Sequence, residues 1–208
     1  MLFHKEKKLA LFLPPKTGTT TAIRFLPTVG WNILKPYHEK PDYFQSKYPN
    51  LATYKKFSFL RDPLDRFGSA VRHTRNVYDF AYQNFYDRIG LPLSKIFAEM
   101  GVTRPVSMLS YDEFVDYLPI IESKFPVFSL QANWFTDPNT EALDFSNYEA
   151  ELRRISGATD PVQYPIAVQN SSNKPENDPE ITAKVIDFVR ERYAADYLLA
   201  KELLGKDY

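Results

Sequence analysis

The sequence predicts an α/β fold in which helices flank a central parallel sheet. Two stretches lead to this prediction, residues 9–26 and 55–73, because each passes from an apolar strand through a short turn into an amphipathic helix. A hydrophobic content of 44% is typical of a globular protein rather than a disordered one, and 208 residues are enough for one sizeable core. We therefore expect a single domain over residues 1–208.

The first stretch, LALFLPPKTGTTTAIRFL, begins with a continuously apolar strand, residues 9–13, of the kind that a sheet buries on both faces. Two prolines end the strand because neither can donate a hydrogen bond to a sheet ladder. Gly18 permits a tight turn, and Thr19 or Thr20 is predicted to cap the next helix. The N–H groups and dipole at this helix start favour an anion; the alternative is an ordinary connection with a solvated lysine.

The second stretch, KKFSFLRDPLDRFGSAVRH, repeats the pattern, with Asp62 as the predicted helix cap. Arg61 lies at the carboxyl end of the strand, which is the edge where open α/β sheets bind ligands. Arg66, Ser69 and His73 follow at spacings of three and four, so they are predicted to share one helix face. A guanidinium and a hydroxyl in this arrangement can hold a phosphate; the alternative is that Arg61 pairs with Asp65 and the other polar residues form a solvated surface.

The remaining elements follow in chain order. Residues 31–34 form a second apolar run, and the middle of the chain contains helical stretches that several prolines interrupt. A strand is predicted near residues 143–145, followed by a helix over 148–155. A final helical hairpin is predicted to begin at Pro179, because the apolar residues after it are spaced for one buried face.

Charge is unevenly distributed along a chain whose net charge is zero. Residues 1–76 contain 14 Lys and Arg against 5 Asp and Glu, which is 14 − 5 = +9, so residues 77–208 carry −9. A positive field over the first third would attract a small, multiply charged anion. A nucleic acid is not expected, because its binding normally requires a basic domain overall. The alternative is a chance split of surface charge.

Composition excludes several classes of site. The chain has no cysteine, so disulfides and thiolate metal sites are excluded, and no compact cluster of metal ligands is evident. No segment approaches the about 18 continuous apolar residues of a membrane span, and we identify no signal peptide. A cytoplasmic setting is therefore expected, with no integral membrane segment; the sequence does not predict an oligomeric state.

The two stretches together resemble the paired signatures of sulfotransferases that use 3′-phosphoadenosine 5′-phosphosulfate (PAPS): PKTGTT after the first strand and RDPxxRxxS after a later one. The likeness is closest to the carbohydrate sulfotransferase branch and its bacterial and viral relatives. The segments YDEFVDYLP, SLQANWF, DFSNYEAELRRI and RERYAADYLLAKELLG resemble later family blocks in the same order. The resemblance implies the sulfotransferase fold, which is related to that of P-loop nucleotide kinases.

The resemblance also implies which residues bind the nucleotide. The first loop would contact the 5′-phosphosulfate through Lys16, Thr17, Gly18, Thr19 and Thr20. The second stretch would hold the 3′-phosphate through Arg61 and Ser69, and a late loop, residues 168–177, would add Ser171, Ser172 and Lys174. The alternative for the late loop is a polar connection before a helix.

Transfer to a hydroxyl also needs a base near neutral pH, and histidine is the natural candidate. We expect His4 to be exposed before the first strand, and His73 to pack or to help hold the nucleotide. His38 follows the apolar run at the same sheet edge as the two loops, and the resemblance implies that a histidine here acts on the acceptor hydroxyl. The match is imperfect because a lysine stands two residues later, where a small residue is expected. The alternatives are a solvated histidine, and Glu39 or another carboxylate as the base.

The expected function is transfer of a sulfuryl group from PAPS, without a metal, to a hydroxyl on a carbohydrate or small alcohol. Lys16 would be catalytic by neutralising the charge that develops on the leaving oxygen. Gln131, Asn133 and Trp134 could contact a sugar, but core packing explains them equally well. The rivals are an ATP- and Mg²⁺-dependent kinase, which the missing Walker A pattern GxxxxGK[ST] disfavours, and a nucleotide-binding module without turnover.

Overall fold

The structure, a computed structural model, describes residues 1–79, 98–99, 101–102, 106–122, 125–167 and 178–208. These residues fall into two compact units. The first unit takes in residues 1–63, 129–167 and 193–208, and the second takes in the described residues between 64 and 128 together with 178–192. That the whole chain forms one domain stays a prediction.

The first unit is built on a five-stranded mixed sheet. Its strands are β1 (Leu2–His4), β2 (Leu9–Phe12), β3 (Asn32–Ile33), β4 (Lys55–Leu60) and β5 (Thr140–Asp144). They lie in the order β3-β1-β2-β4-β5, with β2, β4 and β5 parallel and β1 antiparallel to both of its neighbours. The predicted α/β class is confirmed. The sheet is mixed rather than parallel throughout, because a strand that the sequence analysis missed, β1, forms a hairpin with β2.

The described helices are α1 (Thr19–Phe25), α2 (Pro41–Lys47), α3 (Pro63–Asp79), α4 (Tyr111–Ile121), α5 (Tyr148–Ser156), α6 (Ala183–Arg192) and α7 (Ala194–Leu204). The predicted helix over 148–155 is confirmed, as are helices after Pro179. Among the described residues, no helix has both the length and the apolar character that a bilayer span requires.

The sheet of the first unit carries a separate apolar core on each face. Because side chains alternate along a strand, Leu11 and Phe57 pack on one side with residues of α1 and α5. Ala10 and Phe12 point the other way and pack with Phe44 of α2. Helices therefore cover both faces, and the strand ends are the part of the sheet that remains for a ligand.

The second unit is organised around buried charges on α3. Arg72 and Arg75 both pair with Asp178, at 3.2 and 3.0 Å, and the Tyr111 hydroxyl donates to the same carboxylate at 2.7 Å. The side chain of Asp178 is 2% exposed, so its charge requires these donors. Ser110 and a glutamate three residues later form a capping box that begins α4.

Candidate functional site

The loop after β2 has an unusual backbone. Lys16 adopts a φ of 66° and Gly18 a φ of 76°, both in the left-handed region. The buried Thr17 hydroxyl donates to the Pro14 carbonyl at 2.6 Å, which ties the turn to the end of the strand. α1 begins at Thr19 with Gly18 as its N-cap, so the prediction that Thr19 or Thr20 caps the helix is wrong. With Gly18 as the cap the helix begins at Thr19, whereas a cap at Thr19 would make it begin one residue later.

Tyr148, the first residue of α5, packs against this loop. Its hydroxyl donates to the Gly18 carbonyl at 2.6 Å. A Cβ at position 18 would lie 2.4 Å from a carbon of the Tyr148 ring, so only glycine fits beneath it. Burial raises the pKa of the Tyr148 hydroxyl far above its ordinary value, and the group stays a neutral donor. The sequence analysis assigned this residue no role, because the contact joins residues far apart in the chain.

Arg61 connects the two predicted stretches. A terminal guanidinium N–H of Arg61 donates to the Lys16 carbonyl at 2.7 Å. The guanidinium carbon lies 4.6 Å from the ring centre of Phe145, which directly follows β5. Since β2, β4 and β5 are parallel neighbours, their carboxyl ends meet at one edge of the sheet. Arg61 follows β4, and its contacts with Lys16 and Phe145 connect it to the residues that follow β2 and β5.

His38 lies close to the same loop. Its Nδ1 is 2.8 Å from the Leu13 carbonyl oxygen. Because a carbonyl can only accept, Nδ1 carries the proton and Nε2 carries the lone pair. The ring keeps an exposed side, yet desolvation by the protein around it lowers its pKa. The hydrogen bond to Leu13 opposes this effect, whereas the positive charge of Lys16 adds to it.

Lys16, His38 and Arg61 are thus linked through one loop of the first unit, which accounts for three of the residues that the sequence predicts for the site. A fourth, Thr19, has a buried hydroxyl oxygen that finds no hydrogen-bond partner within the part of the chain that the structure describes. A buried hydroxyl without a partner is unfavourable. Ammonium, hydroxyl and guanidinium groups are the kinds of groups that bind a phosphate or sulfate.

Other predicted site residues lie elsewhere. Ser69 is 2% exposed on α3 in the second unit, and its predicted contact with a 3′-phosphate stays a prediction. Ser171, Ser172 and Lys174 lie outside the described residues, as does the whole late loop.

A further prediction about a single residue is wrong. His4 is buried in β1, at 8% exposed, where its Nδ1 accepts the Lys7 backbone N–H at 3.3 Å, so it is not a solvated residue before the sheet. Arg66 and His73 lie on α3 at the predicted spacing, but they differ in burial. Arg66 is buried and donates to the Val127 carbonyl at 3.1 Å, while His73 is exposed.

Two residues of the segment SLQANWF belong to the core. Gln131 is 0% exposed and Trp134 is 1% exposed, so neither offers a surface on which a sugar could stack, whereas Asn133 is partly exposed. Of the two interpretations that the sequence allows for this segment, core packing is correct for Gln131 and Trp134.

Comparisons with protein families, curated proteins and solved structures find no match for this chain. A functional assignment therefore depends on the chemistry of the residues at the sheet edge, where a lysine loop, an arginine and a neutral histidine converge.

Proposed function

We propose that this protein is a PAPS-dependent sulfotransferase whose acceptor is a hydroxyl on a carbohydrate or a small alcohol. The observation that carries the proposal is the 2.7 Å bond between the Arg61 guanidinium and the Lys16 carbonyl. The resemblance assigns these two residues to opposite ends of one nucleotide. Their direct contact supports the proposal, because one bisphosphorylated nucleoside could reach both.

The donor PAPS would supply the sulfuryl group, and the residues of the first unit would bind it and neutralise charge. The Lys16 ammonium and the Thr19 hydroxyl are the groups suited to the 5′ end, and Arg61 is suited to the 3′-phosphate. Negative charge grows on the leaving oxygen during this class of transfer. Lys16, at the turn, would stabilise that charge with little reorganisation, because its backbone is already held by the Arg61 guanidinium.

His38 would take the proton of the acceptor hydroxyl. Its Nε2 carries the lone pair, and its Nδ1–H is held by the Leu13 carbonyl at 2.8 Å. This bond fixes the tautomer and the orientation of the ring, and it stabilises the imidazolium that forms when Nε2 accepts the proton. The exposed side of the ring leaves room for an acceptor.

A thermal-shift comparison tests the donor class. We expect adenosine 3′,5′-bisphosphate to raise the melting temperature of the full chain at concentrations where ATP with Mg²⁺ has little effect. At a concentration about 100 times Kd, stabilisation by a ligand of the folded state reaches about 2.7 kcal/mol. Stronger stabilisation by ATP with Mg²⁺ would instead favour the kinase. If neither nucleotide stabilises the protein, the proposal that it binds PAPS is wrong.

Variants at Lys16 and His38 separate an enzyme from a binding module. We expect Lys16→Ala to lower the rate of labelled-sulfate transfer by about 100-fold or more, the usual cost of removing one such donor. The double variant with His38→Asn should show no measurable transfer. Lys5→Ala, which removes an exposed lysine in the β1–β2 turn, is the matched control and should retain full activity. If the unaltered protein binds the nucleotide but transfers no sulfate, it is a nucleotide-binding module without turnover.

A further inference from the structure

We propose that the short 3-10 helix Gln131–Trp134, called here the 131–134 turn, positions two residues of the predicted site, one that binds the nucleotide and one that acts as the base: Gln131 fixes Arg61, and Trp134 fixes the chain beside His38. The inference rests on the proposed function, and it assigns to the turn a role that its burial alone does not explain. Gln131 and Trp134 are positioning residues, since each acts through another residue.

Gln131 holds the backbone of Arg61 from both sides. Its side-chain Oε1 accepts the Arg61 N–H at 3.0 Å, and its Nε2 donates to the Arg61 carbonyl at 2.8 Å. The amide thus imitates a neighbouring strand at the first residue beyond β4, where the sheet ladder has ended. With its peptide groups held in this way, Arg61 keeps the orientation in which its guanidinium reaches the Lys16 carbonyl.

Trp134 holds the segment that contains His38. Its indole N–H donates to the Glu39 carbonyl at 3.2 Å. Glu39 follows His38 directly, and the His38 ring is bound by the Leu13 carbonyl. The ring is therefore held by the loop after β2, and the backbone next to it is held by the 131–134 turn.

Asp196 fixes the turn itself. It is 0% exposed, and its two carboxylate oxygens accept the N–H groups of Gln131 and Ala132, each at 2.9 Å. A fully buried carboxylate requires such donors, and bonds to a charged acceptor are stronger than neutral ones. α7, which carries Asp196, thereby anchors a turn that reaches Arg61 on one side and Glu39 on the other.

Two variants test the two halves of the inference separately. Gln131→Met keeps the size of the side chain and removes both bonds to Arg61. We expect it to weaken binding of adenosine 3′,5′-bisphosphate by about tenfold, with kcat nearly unchanged. Trp134→Phe removes the indole N–H. We expect it to lower kcat by about tenfold, with nucleotide affinity unchanged. Gln131→Glu, which keeps the acceptor and loses the donor, is the second variant if the methionine protein does not fold.

Trp31→Phe is the matched control for Trp134→Phe. Trp31 is also buried, at 3% exposed, but its indole N–H has no hydrogen-bond partner among the residues that the structure describes. This control should lose core packing without changing either nucleotide affinity or kcat. Asp196→Asn, which weakens the anchor of the whole turn, should show both defects together. If Gln131→Met, Trp134→Phe and Asp196→Asn all reduce affinity and kcat in parallel with their loss of stability, the turn is only structural and the inference is wrong.

An NMR titration of His38 keeps this test independent of the proposed function. Because Trp134→Phe loosens the segment around His38, water should reach the ring more easily and its pKa should rise toward the ordinary value. Trp31→Phe should leave it unchanged. If the unaltered protein binds no bisphosphate nucleotide, the proposed function fails while this titration still tests the positioning role. An identical His38 pKa in the unaltered protein and in Trp134→Phe would overturn that role.

Discussion

His38 combines two properties that a general base needs. One side of its ring is exposed to solvent, and its pKa lies below the ordinary value because the protein displaces water from the other side. The positive charge of Lys16 acts in the same direction. Near neutral pH the imidazole is therefore uncharged, and Nε2 is able to accept a proton.

The pH dependence of catalysis follows from this shift. Protonation of His38 removes the base, so kcat/KM should fall as pH decreases through the lowered pKa, with a midpoint below about 6.5. The measurement is the pH profile of labelled-sulfate transfer. An acid limb centred at or above about 6.5 would contradict the assignment of His38 as the base.

The free energy of unfolding should change in the same pH window. Below about pH 6.5 the unfolded chain binds a proton at His38 that the folded protein still excludes. The free energy of unfolding therefore decreases as pH falls from about 6.5 to the folded-state pKa, and it is not affected by this group above that window. His38→Asn should remove this part of the pH dependence, whereas His73→Asn, at an exposed position, should leave it in place.

At the level of elements, the connection from β5 to α5 holds the loop between β2 and α1. Phe145 lies under the Arg61 guanidinium, and Tyr148 lies over Gly18 and donates to its carbonyl. The loop is thus clamped by residues that come much later in the chain. Its conformation depends on the packing of α5 against the sheet as well as on its own glycine.

Gly18→Ala tests this clamp. Gly18 and Gly205 both have a positive φ, so alanine at either position should lose about 1–2 kcal/mol for its left-handed backbone. At Gly18 the added Cβ would also lie 2.4 Å from the Tyr148 ring, whereas nothing lies within 4 Å of a Cβ at Gly205. We expect Gly18→Ala to lose about 1–3 kcal/mol more than Gly205→Ala in urea unfolding. Equal losses in the two variants would mean that the Tyr148 ring moves aside without a loss of unfolding free energy and does not clamp the loop.

At the scale of the whole molecule, the positive charge of residues 1–76 comes mainly from residues 1–63 of the first unit, where 11 Lys and Arg against 4 Asp and Glu give 11 − 4 = +7. The other residues of that unit, 129–167 and 193–208, hold 4 Lys and Arg against 9 Asp and Glu, which is 4 − 9 = −5, so the unit keeps a net positive charge of 7 − 5 = +2. Residues 1–76 contain both Lys16 and Arg61. A field of this sign attracts a multiply charged anion before any specific contact forms. Salt screens it, because the Debye length falls from about 30 Å at 0.01 M to about 8 Å at 0.15 M.

The association rate should therefore depend on salt. We expect the rate constant for binding of adenosine 3′,5′-bisphosphate, measured by stopped flow, to fall by about tenfold over that range of ionic strength. Adenosine, which has no charge, is the control, and its association should change little. The same salt dependence for both ligands would show that the uneven charge does not guide the anion to the site.

Local patterns in the sequence determined the α/β class, the strands at Leu9–Phe12 and Lys55–Leu60, and the loops that follow them. These features depend on neighbouring residues: apolar runs, prolines that cannot donate, and a glycine that tolerates a positive φ. The same reasoning placed Lys16 and Arg61 at one edge, because parallel strands end on the same side of a sheet.

Only the tertiary structure decided the rest. The strand Leu2–His4 is short and adjoins a charged turn, so its place in the sheet depends on Leu11 and Ile33 across from it rather than on its own pattern. The bonds from Gln131 to Arg61 and from Tyr148 to Gly18 join residues 70 and 130 positions apart. No local pattern encodes such contacts, because they form only when packing brings distant segments together and buried polar groups must find partners.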